Sequence, residues 1–430
     1  MTPKQAPSID HLRDLYRARV PRMFYDYCET GSYSTRTFQE NTTAFEKYRL
    51  RQRVAVNIAD RKLNTTMAGI ATALPVALSP VGSLGMQHAD GEILAARAAE
   101  KAGIPFTLST MSICSIEEVA KHVEKPFWFQ LYVMRERGFS AELVARAKAA
   151  KCSALVLTLD LQILGQRHKD VKNGLSSPPK LTLPNIINMM TKPSWCFGML
   201  ATKNRQFGNI VGHVKDVTDV SSLNEWANRQ FDQTLDWSSV EFIRKQWDGK
   251  LILKGINDVE DAIIASKLGV DAIIVSNHGG RQLDGGVAPI DMLGSIVDAV
   301  GDQIEVHFDS GIRSGIDVLK AVALGAKGVY VGRAFVYGLG AGGEAGVTRA
   351  LDIIRSELDV SMALCGESDI MNVGRHNLVM PVATHHYPRA DAVPANSRPK
   401  AIAAKVPLLA QSGQSPVKNN AAAKPRLAKR

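Results

Sequence analysis

The sequence has few cysteines and no long apolar run, and each absence excludes a class of protein. Its five cysteines are scattered and odd in number: Cys28, Cys114, Cys152, Cys196 and Cys365. They lack metal-type spacing and argue against a disulfide framework, so we expect a reducing compartment and no metal. No stretch approaches the roughly 20 apolar residues that a membrane-spanning helix needs. Residues 1–10 also lack the apolar core of a secretory signal. We therefore expect a cytoplasmic protein.

Positive charge is abundant, but it is concentrated at one end of the chain. The net charge is +10, and residues 381–430 contain nine Lys and Arg against one Asp, which leaves +2 for the rest. A nucleic-acid-binding domain carries its basic residues on the folded body. We therefore expect no nucleic-acid partner. The same segment has almost no aromatic residues and is rich in Ala, Pro, Ser and Asn, which predicts a disordered basic tail.

Eight short runs of apolar and β-branched residues recur along the chain. They are PVALSP (75–80), IPFTLS (104–109), PFWFQLY (126–132), ALVLTLD (154–160), LILKGI (251–256), AIIVSN (272–277), EVHFDSG (305–311) and GVYVGR (328–333). Their nearly continuous apolar character is typical of parallel strands buried on both faces. Helical patterns such as DVEDAIIASKLGV lie between most of them. The alternation predicts an α/β fold, a (β/α)8 TIM barrel, with a doubly wound open sheet as the alternative.

The same reading divides the chain into parts. We assign residues 1–70 to an N-terminal helical segment, 71–380 to the barrel and 381–430 to the tail. From 161 to about 236 there is no good strand, and we place a long irregular insertion at about 170–236, after the fourth strand. Such an insertion is usually functional or mobile, and this one would lie at the C-terminal face of the barrel, where barrel enzymes carry their active sites.

Almost every predicted strand ends in a polar or ionisable side chain, and in a barrel these ends converge on one site. The residues are Ser79 with Pro80, Ser109, Gln130 with Tyr132, Thr158 with Asp160, Lys254, Ser276 with Asn277 and His278, Asp309, and Gly332 with Arg333.

The segment SNHGGRQLD (276–284) contains the strongest chemical signal. His278 directly follows a buried strand and Arg281 is three residues away, so a candidate base lies beside a fixed cation. This pairing suits an anionic substrate that has a proton to lose. A structural role would be the ordinary interpretation of an isolated histidine, but the position at a strand end and the possible orienting carboxylate of Asp160 favour catalysis.

Lys254 and two glycine-rich loops indicate a cofactor. Lys254 ends an apolar strand, where an unpaired ammonium would be costly; a Schiff-base lysine, a fixed charge beside a cofactor and a rim salt bridge all remain open. DSGIRSG (309–315) and the Gly332–Arg333 pair end strands seven and eight, the usual place of a barrel phosphate site. There we expect backbone N–H groups at the start of the following helix to bind the phosphate. Arg313 and Arg333 would add charge-assisted bonds to the phosphate.

Taken together, SNHGGRQLD, FQLYV, LILKGI, DSGIRSG and VGRAF resemble the FMN-dependent 2-hydroxy-acid dehydrogenase/oxidase family. The resemblance extends from about residue 9 to residue 370. STMSICSIEEVA, the DSGIR form and PFWFQLYV are most similar to its bacterial respiratory L-lactate dehydrogenase branch. The resemblance implies FMN as cofactor, a small L-2-hydroxy acid as substrate, and a homotetramer.

The family's site residues carry over by matching position. His278 resembles the active-site base and Asp160 the carboxylate that orients it. Arg281 and Tyr27 resemble the pair that holds the substrate carboxylate, and Lys254 the lysine beside flavin N1 and O2. Tyr132 and Arg167 resemble further substrate contacts. The remaining matches resemble cofactor contacts: Pro80, Val81, Gly82, Ser109, Gln130, Thr158, Ser276, Asp309, Gly311, Arg313, Gly332 and Arg333.

Two departures from the family pattern bear on these matches. Gln162 stands where the family often has Pro, which weakens the match of Arg167. Gly82 stands where oxidases tend to have Ala, which favours a dehydrogenase over an oxidase that uses O2. Two other classes are alternatives: a non-redox FMN enzyme, which the His278–Arg281 pairing disfavours, and a cofactor-free binding barrel.

The electron acceptor is expected to be external, either a quinone or a cytochrome, because no haem domain is recognisable in the sequence. Residues 181–200 (LTLPNIINMMTKPSWCFGML) combine Leu, Ile, Met, Trp and Phe with a lysine. They predict either a mobile lid or an interfacial anchor on the cytoplasmic face of the inner membrane.

Overall fold

Short strands form the framework of the molecule. The computed structural model describes residues 2–175, 182–213 and 230–379. In these ranges the strands are β1 (Arg49–Leu50), β2 (Thr65–Met67), β3 (Ile70–Thr72), β4 (Val76–Leu78), β5 (Thr107–Ser109), β6 (Trp128–Tyr132), β7 (Ala154–Thr158), β8 (Lys250–Ile256), β9 (Ala272–Val275), β10 (Glu305–Asp309), β11 (Gly328–Val331) and β12 (Leu378–Val379).

The strands β4 to β11 form one parallel sheet in the order β4-β11-β10-β9-β8-β7-β6-β5. Its two ends meet where Leu78 bridges Phe106 in parallel and the Leu78 amide donates to the Pro105 carbonyl at 2.9 Å. The sheet therefore closes into the predicted (β/α)8 barrel, and the open-sheet alternative is wrong. Each of the eight apolar runs coincides with one of these strands, and only β8 begins outside its run, one residue earlier at Lys250.

Helices surround the barrel and precede it. They are α1 (Ile9–Arg19), α2 (Arg22–Cys28), α3 (Arg36–Thr43), α4 (Leu84–Gln87), α5 (Gly91–Ala102), α6 (Ile116–Ala120), α7 (Arg137–Ala149), α8 (His168–Lys172), α9 (Leu183–Met190), α10 (Pro193–Ala201), α11 (Trp237–Arg244), α12 (Val259–Ser266), α13 (Pro289–Val300), α14 (Gly315–Ala323) and α15 (Arg333–Leu364). The last is kinked at Gly342 and Gly343, whose backbone angles are not helical.

The strands bury both faces, as their continuous apolar sequence predicts. One set of side chains fills the lower and middle interior: Met67, Ala77, Trp128, Ala154, Val156, Ile252, Ala272, Ile274 and Tyr330. The alternate residues, such as Leu108, Phe129 and Leu253, pack against the outer helices. The C-terminal end of the interior is polar instead, which creates a place for a bound group above an apolar plug.

The segment after β7 differs from its prediction. It was expected to be irregular, but its described residues contain the three short helices α8, α9 and α10. The helix α9 begins where the Thr182 side chain accepts from the Asn185 amide and Pro184 occupies the first turn, which is ordinary helix-start chemistry. Residues 176–181, 214–229 and the predicted tail lie outside the described residues. None of the helices in the described ranges has the length and apolar character needed to cross a bilayer.

Candidate active site

Side chains from several strands form a hydrogen-bonded network at the C-terminal end of the barrel. Lys254 Nζ donates to Ser276 Oγ at 2.9 Å and lies 3.1 Å from Asp309 Oδ2. Ser276 Oγ and Ser79 Oγ donate to the two oxygens of Asp309 at 2.8 and 2.9 Å. All four residues are buried. A buried ammonium and a buried carboxylate thus neutralise each other directly beneath the barrel mouth.

Lys254 and Asp309 each stabilise the charged form of the other. Burial alone would lower the pKa of Lys254, but Asp309 and Asp160 outweigh it and raise that pKa. Burial would likewise raise the pKa of Asp309, but Lys254 and the bonds from Ser276 hold it below its usual value. The site therefore keeps a permanent ammonium at neutral pH.

A second polar chain continues around the interior on β5, β6 and β7. Ser109 Oγ donates to Gln130 Oε1 at 3.1 Å, and Gln130 Nε2 donates to Thr158 Oγ1 at 3.0 Å. The Gln130 amide oxygen also accepts from the Thr110 backbone at 3.3 Å. Its orientation is thus fixed from both sides, so the layer presents defined donors and acceptors to whatever lies above it.

The structure brings His278 and Asp160 together. Nδ1 of His278 lies 2.8 Å from Oδ1 of Asp160. His278 has φ +58°, a left-handed conformation that is uncommon for a residue with a side chain, and its amide donates to Ser276 Oγ at 3.1 Å. Burial opposes ionisation of Asp160, but the charges of His278 and Lys254 lower its pKa. An ionised carboxylate accepting from Nδ1–H leaves Nε2 as the basic nitrogen.

Gly255 makes room for that carboxylate. It follows Lys254 with φ +101°, and a Cβ there would lie 2.6 Å from Cγ of Asp160. A side chain at this position would therefore both strain the backbone and displace Asp160.

Tyr27, Arg167 and Arg281 also converge at the mouth. The Arg281 guanidinium lies 4.7 Å from the Tyr27 ring centroid and donates to the Tyr27 carbonyl at 2.6 Å. Burial and the charge of Arg167 lower the pKa of Arg281 to about 10. Arg167 itself pairs with Asp170 at 2.5 Å. Arg167 and Arg281 carry two positive charges, and Asp170 supplies one negative charge. This corner of the mouth, formed by Tyr27, Arg167 and Arg281, would therefore favour a bound anion.

Tyr132 completes this side of the mouth from the end of β6. Burial and the charge of Asp160 raise the pKa of Tyr132, so its hydroxyl stays protonated and can donate. Its ring packs edge-on against Phe231, with centroids 6.1 Å apart.

The predicted phosphate end lies at β10 and β11. Burial lowers the pKa of Arg333, and the charge of Arg313 lowers it further. Arg333 donates to the carbonyls of Cys28, Thr30 and Gly279 at 2.8–3.1 Å. Gly311 has φ +93°, and a Cβ there would lie 1.9 Å from the Asn41 carbonyl oxygen.

One part of the phosphate prediction needs correction. The start of α14 was expected to offer free backbone N–H groups to an anion, but side chains of the protein already accept from them. The Arg313 and Ser314 amides donate to Asp317 Oδ2 at 2.9 and 3.0 Å, and the Gly315 amide donates to Glu357 Oε2 at 2.8 Å. At the start of α15, by contrast, Gly332 caps the helix without any side-chain bond.

The loop after β4 lies against the loop after β5. The Ser83 amide donates to the Met111 carbonyl at 2.9 Å. A Cβ at Gly82 would lie 3.2 Å from that carbonyl oxygen and 3.7 Å from the Tyr27 hydroxyl. Pro80, Val81 and Gly82 thus border the same mouth as Tyr27.

Sequence reasoning gave no role to Gln282. Its Nε2 donates to the carbonyls of Asp160 and Ile163 at 2.9 and 2.7 Å, which ties the loop after β7 to the loop after β9. Asp170, the partner of Arg167, was also missed; its i+3 spacing from Arg167 is the signal that could have identified it. In the described ranges, His, Cys, Asp and Glu side chains nowhere gather into a group of three or more suited to a metal ion.

The sequence model of the family described as FMN-dependent dehydrogenase matches residues 16–380. This chain belongs to that family. It is 43% identical over 368 residues to an L-lactate dehydrogenase of Caulobacter vibrioides, with 85% of this chain and 96% of that protein aligned. An L-lactate dehydrogenase of Stenotrophomonas maltophilia is 44% identical over 369 residues, covering 85% and 97%.

Solved structures agree with the family assignment. The fold matches that of a protein described as the monotopic membrane protein (S)-mandelate dehydrogenase, with TM-score 0.83, 33% identity, and 87% and 99% of the two chains covered. A soluble mutant of the membrane-associated (S)-mandelate dehydrogenase of Pseudomonas putida matches with TM-score 0.74 and 34% identity, covering 87% and 99%. The chain is thus an FMN-dependent L-2-hydroxy-acid dehydrogenase.

The residues present fit FMN. The polar layer formed by Ser109, Gln130, Thr158 and Ser276 offers donors and acceptors, and Lys254 supplies a permanent cation. Burial and the charge of Arg313 lower the pKa of Arg333, and a bound phosphate group would offset both effects.

Proposed function

We propose that this enzyme oxidises L-lactate to the 2-keto acid, with His278 as the base. The observation that carries the proposal is the 2.8 Å contact between His278 Nδ1 and Asp160 Oδ1 at the barrel mouth. The identity to L-lactate dehydrogenases supports lactate over other hydroxy acids.

Substrate binding is assigned to the cationic corner. Arg281 and the Tyr27 hydroxyl would hold the substrate carboxylate, with Tyr132 and Arg167 as further contacts. Arg281 suits this role because burial and the charge of Arg167 lower its pKa, and a bound carboxylate would offset both effects. Fixing the carboxylate orients the α-carbon and its hydroxyl toward His278, which is the entropic part of the catalysis.

The proton is assigned to His278 Nε2. Asp160 holds the tautomer in which Nδ1 carries hydrogen, and it stabilises the imidazolium that forms when Nε2 takes the substrate proton. FMN, when bound, supplies the two-electron acceptor. Lys254, kept charged by Asp309, would stabilise negative charge at the pyrimidine side of the ring. Pro80, Val81, Gly82, Ser109, Gln130, Thr158 and Ser276 would contact the ring and ribityl chain, and Asp309, Gly311, Arg313, Gly332 and Arg333 the ribityl chain and phosphate.

The substrate assignment is tested by mixing holoenzyme without oxygen with a panel of L-2-hydroxy acids and following flavin absorbance. L-Lactate should bleach the flavin with the highest second-order rate constant, ahead of glycolate, L-mandelate and longer hydroxy acids. D-Lactate is the matched control, since it has the same charge and size but places its α-hydrogen differently. Faster bleaching by another member of the panel would replace lactate, and no bleaching by any member would overturn the proposed reaction.

The acceptor is proposed to be a quinone or a cytochrome outside this chain, reached at the cytoplasmic face of the inner membrane. The helices α9 and α10 support this placement. Leu183, Met190, Phe197 and Leu200 are 69–74% exposed, while Trp195 stacks on Phe24 and donates to the Met86 carbonyl at 2.9 Å. The helix pair therefore rests on the body while exposing apolar side chains, as interfacial helices do. We also propose the homotetramer that the family resemblance implies.

Replacing Leu183, Met190, Phe197 and Leu200 by Ser should abolish sedimentation with anionic liposomes. Each apolar side chain that enters the interface contributes on the order of 1.5 kcal/mol, so the fourfold variant should lose at least about 100-fold in membrane partitioning. Serine substitution of four exposed apolar residues elsewhere, Val54, Val56, Val360 and Leu364, is the control. Equal liposome binding by the two variants would leave α9–α10 as a lid or a surface helix pair.

A further inference from the structure

The closure of the barrel between β4 and β5 is its most sparsely bonded junction. The other neighbouring strands pair over three or more residues, whereas β4 and β5 share the single bridge from Leu78 to Phe106. This junction lies below Pro80–Gly82 on one side and Ser109 on the other. Both loops belong to the proposed flavin site, so contacts beyond the strand ladder must hold them in register. One is the bond from the Ser83 amide to the Met111 carbonyl at 2.9 Å.

Glu92 bridges this junction. Its side chain comes from the first turn of α5 and is completely buried. Oε1 accepts from the Gly85 amide at 3.1 Å and from the Ile113 amide at 2.9 Å. Gly85 is three residues beyond Gly82, and Ile113 is four beyond Ser109. One carboxylate oxygen thus joins the loop after β4 to the loop after β5.

The contact that Glu92 maintains is tight. A Cβ at Gly85 would lie 2.6 Å from the Ile113 Cβ, so the segment after β4 packs directly against the Ile113 side chain and leaves no room for a side chain at Gly85. Burial raises the pKa of Glu92, although the amides of Ile113 and Gly85 oppose this shift. An alanine or leucine would be the cheaper occupant of this apolar helix face, because Ile93, Ala95, Ala96 and Ala99 are also buried there. The hydrogen bonds that Glu92 accepts from the Gly85 and Ile113 amides explain why a carboxylate occupies this position.

We propose that Glu92 is a positioning residue for the flavin: it holds Pro80–Gly82 and Ser109 at the separation that the ring system requires. The inference deepens the proposed function and rests on its placement of the flavin between these two loops. Glu92 acts through the backbone of Gly85 and Ile113, and it does not contact the cofactor.

The test compares Glu92→Leu with Glu92→Gln in the holoenzyme. Leucine removes both bonds, whereas glutamine keeps an oxygen acceptor of the same reach. Glu92→Leu should raise the FMN dissociation constant at least tenfold and change the visible circular dichroism of the remaining bound flavin. Glu92→Gln should have an FMN dissociation constant within threefold of the wild-type value and the same visible circular dichroism as the wild type. If the leucine variant does not fold, Glu92→Asp replaces it, since the shorter side chain cannot reach both amides, and the same tenfold loss is expected.

Gly82→Val separates failure of this inference from failure of the flavin placement, because it alters the loop directly. If Gly82→Val changes flavin affinity and dichroism while Glu92→Leu lowers only the melting temperature, the positioning role is overturned and the placement stands. If neither variant affects the flavin, the placement itself is wrong and the positioning role falls with it. If Glu92→Gln is as impaired as Glu92→Leu, charge rather than the two bonds is what matters, and the proposal is likewise overturned.

Discussion

Replacing His278 by Gln should slow flavin reduction by L-lactate by about 10²–10⁴-fold, the usual contribution of a general base. The physical reason is that the amide of Gln cannot take the proton that Nε2 accepts, while its size preserves much of the packing at the barrel mouth. Single-turnover mixing without oxygen measures the rate directly, because it separates flavin reduction from reoxidation by the acceptor.

The controls for this variant separate chemistry from folding. FMN should remain bound, since the proposed phosphate contacts at Arg313 and Arg333 are untouched. His122→Gln, in the exposed turn after α6, should leave the rate unchanged. Asp160→Asn should cost less than loss of the base, because Nε2 is still present but its tautomer is no longer fixed. A His278→Gln enzyme that reduces FMN within about threefold of wild type would remove His278 from the proposed role.

Replacing Lys254 by Met should lower the free energy of unfolding by about 3–5 kcal/mol, the usual cost of leaving one member of a buried ion pair alone. Asp309 would keep only its bonds from Ser79 and Ser276, and its pKa should rise. In the wild type the lowered pKa of Asp309 contributes stability above the unfolded value of about 3.9, and this stability is lost as the pH falls toward the folded value. Urea unfolding at pH 7 and pH 3 measures both effects.

The same strand provides a matched control. Lys250 also forms an ion pair, with its Nζ 2.8 Å from Asp271 Oδ1, but its side chain is 46% exposed. Lys250→Met should therefore cost no more than about 1 kcal/mol. Adding Asp309→Asn to Lys254→Met should recover part of the loss, because the buried charge is then removed. If the Lys254 and Lys250 variants are equally stable, the buried pair does not have the energetic role assigned to it.

The parts of the site that could be predicted from sequence are those encoded by local periodicity. An apolar run followed by a polar residue marks a strand end. This pattern was sufficient to predict that Lys254, Ser276 and Asp309 lie close together. The proximity of His278 to Asp160 followed from barrel geometry, since both residues follow strands that end at the same face.

What could not be predicted depends on contacts that are distant in the chain. The start of α14 looks like a free anion site until Glu357, from a helix that begins after the next strand, bonds to Gly315. The hydrogen bond from the Ile113 amide to Glu92 could not be predicted from sequence for the same reason, because Ile113 lies beyond the following strand. Its only local signal is an acidic residue on the buried face of α5. The helices α9 and α10 were missed because each has only eight or nine residues, which is too short to show a clear helical periodicity.

The pairing of β4 with β11 has a consequence for synthesis of the chain on the ribosome. Val76 is made early, but its ladder partner Val329 is made only after every other barrel strand. A nascent chain can pair β5 through β10 in order as they emerge, yet its first barrel strand keeps one edge unpaired until the last has left the exit tunnel. Unpaired edges of this kind attract other chains, so the incomplete barrel is open to mispairing until β11 has been made. Gly332 and Arg333, the last of the proposed phosphate contacts, follow β11, and we therefore expect FMN to bind only after the whole barrel has been synthesised.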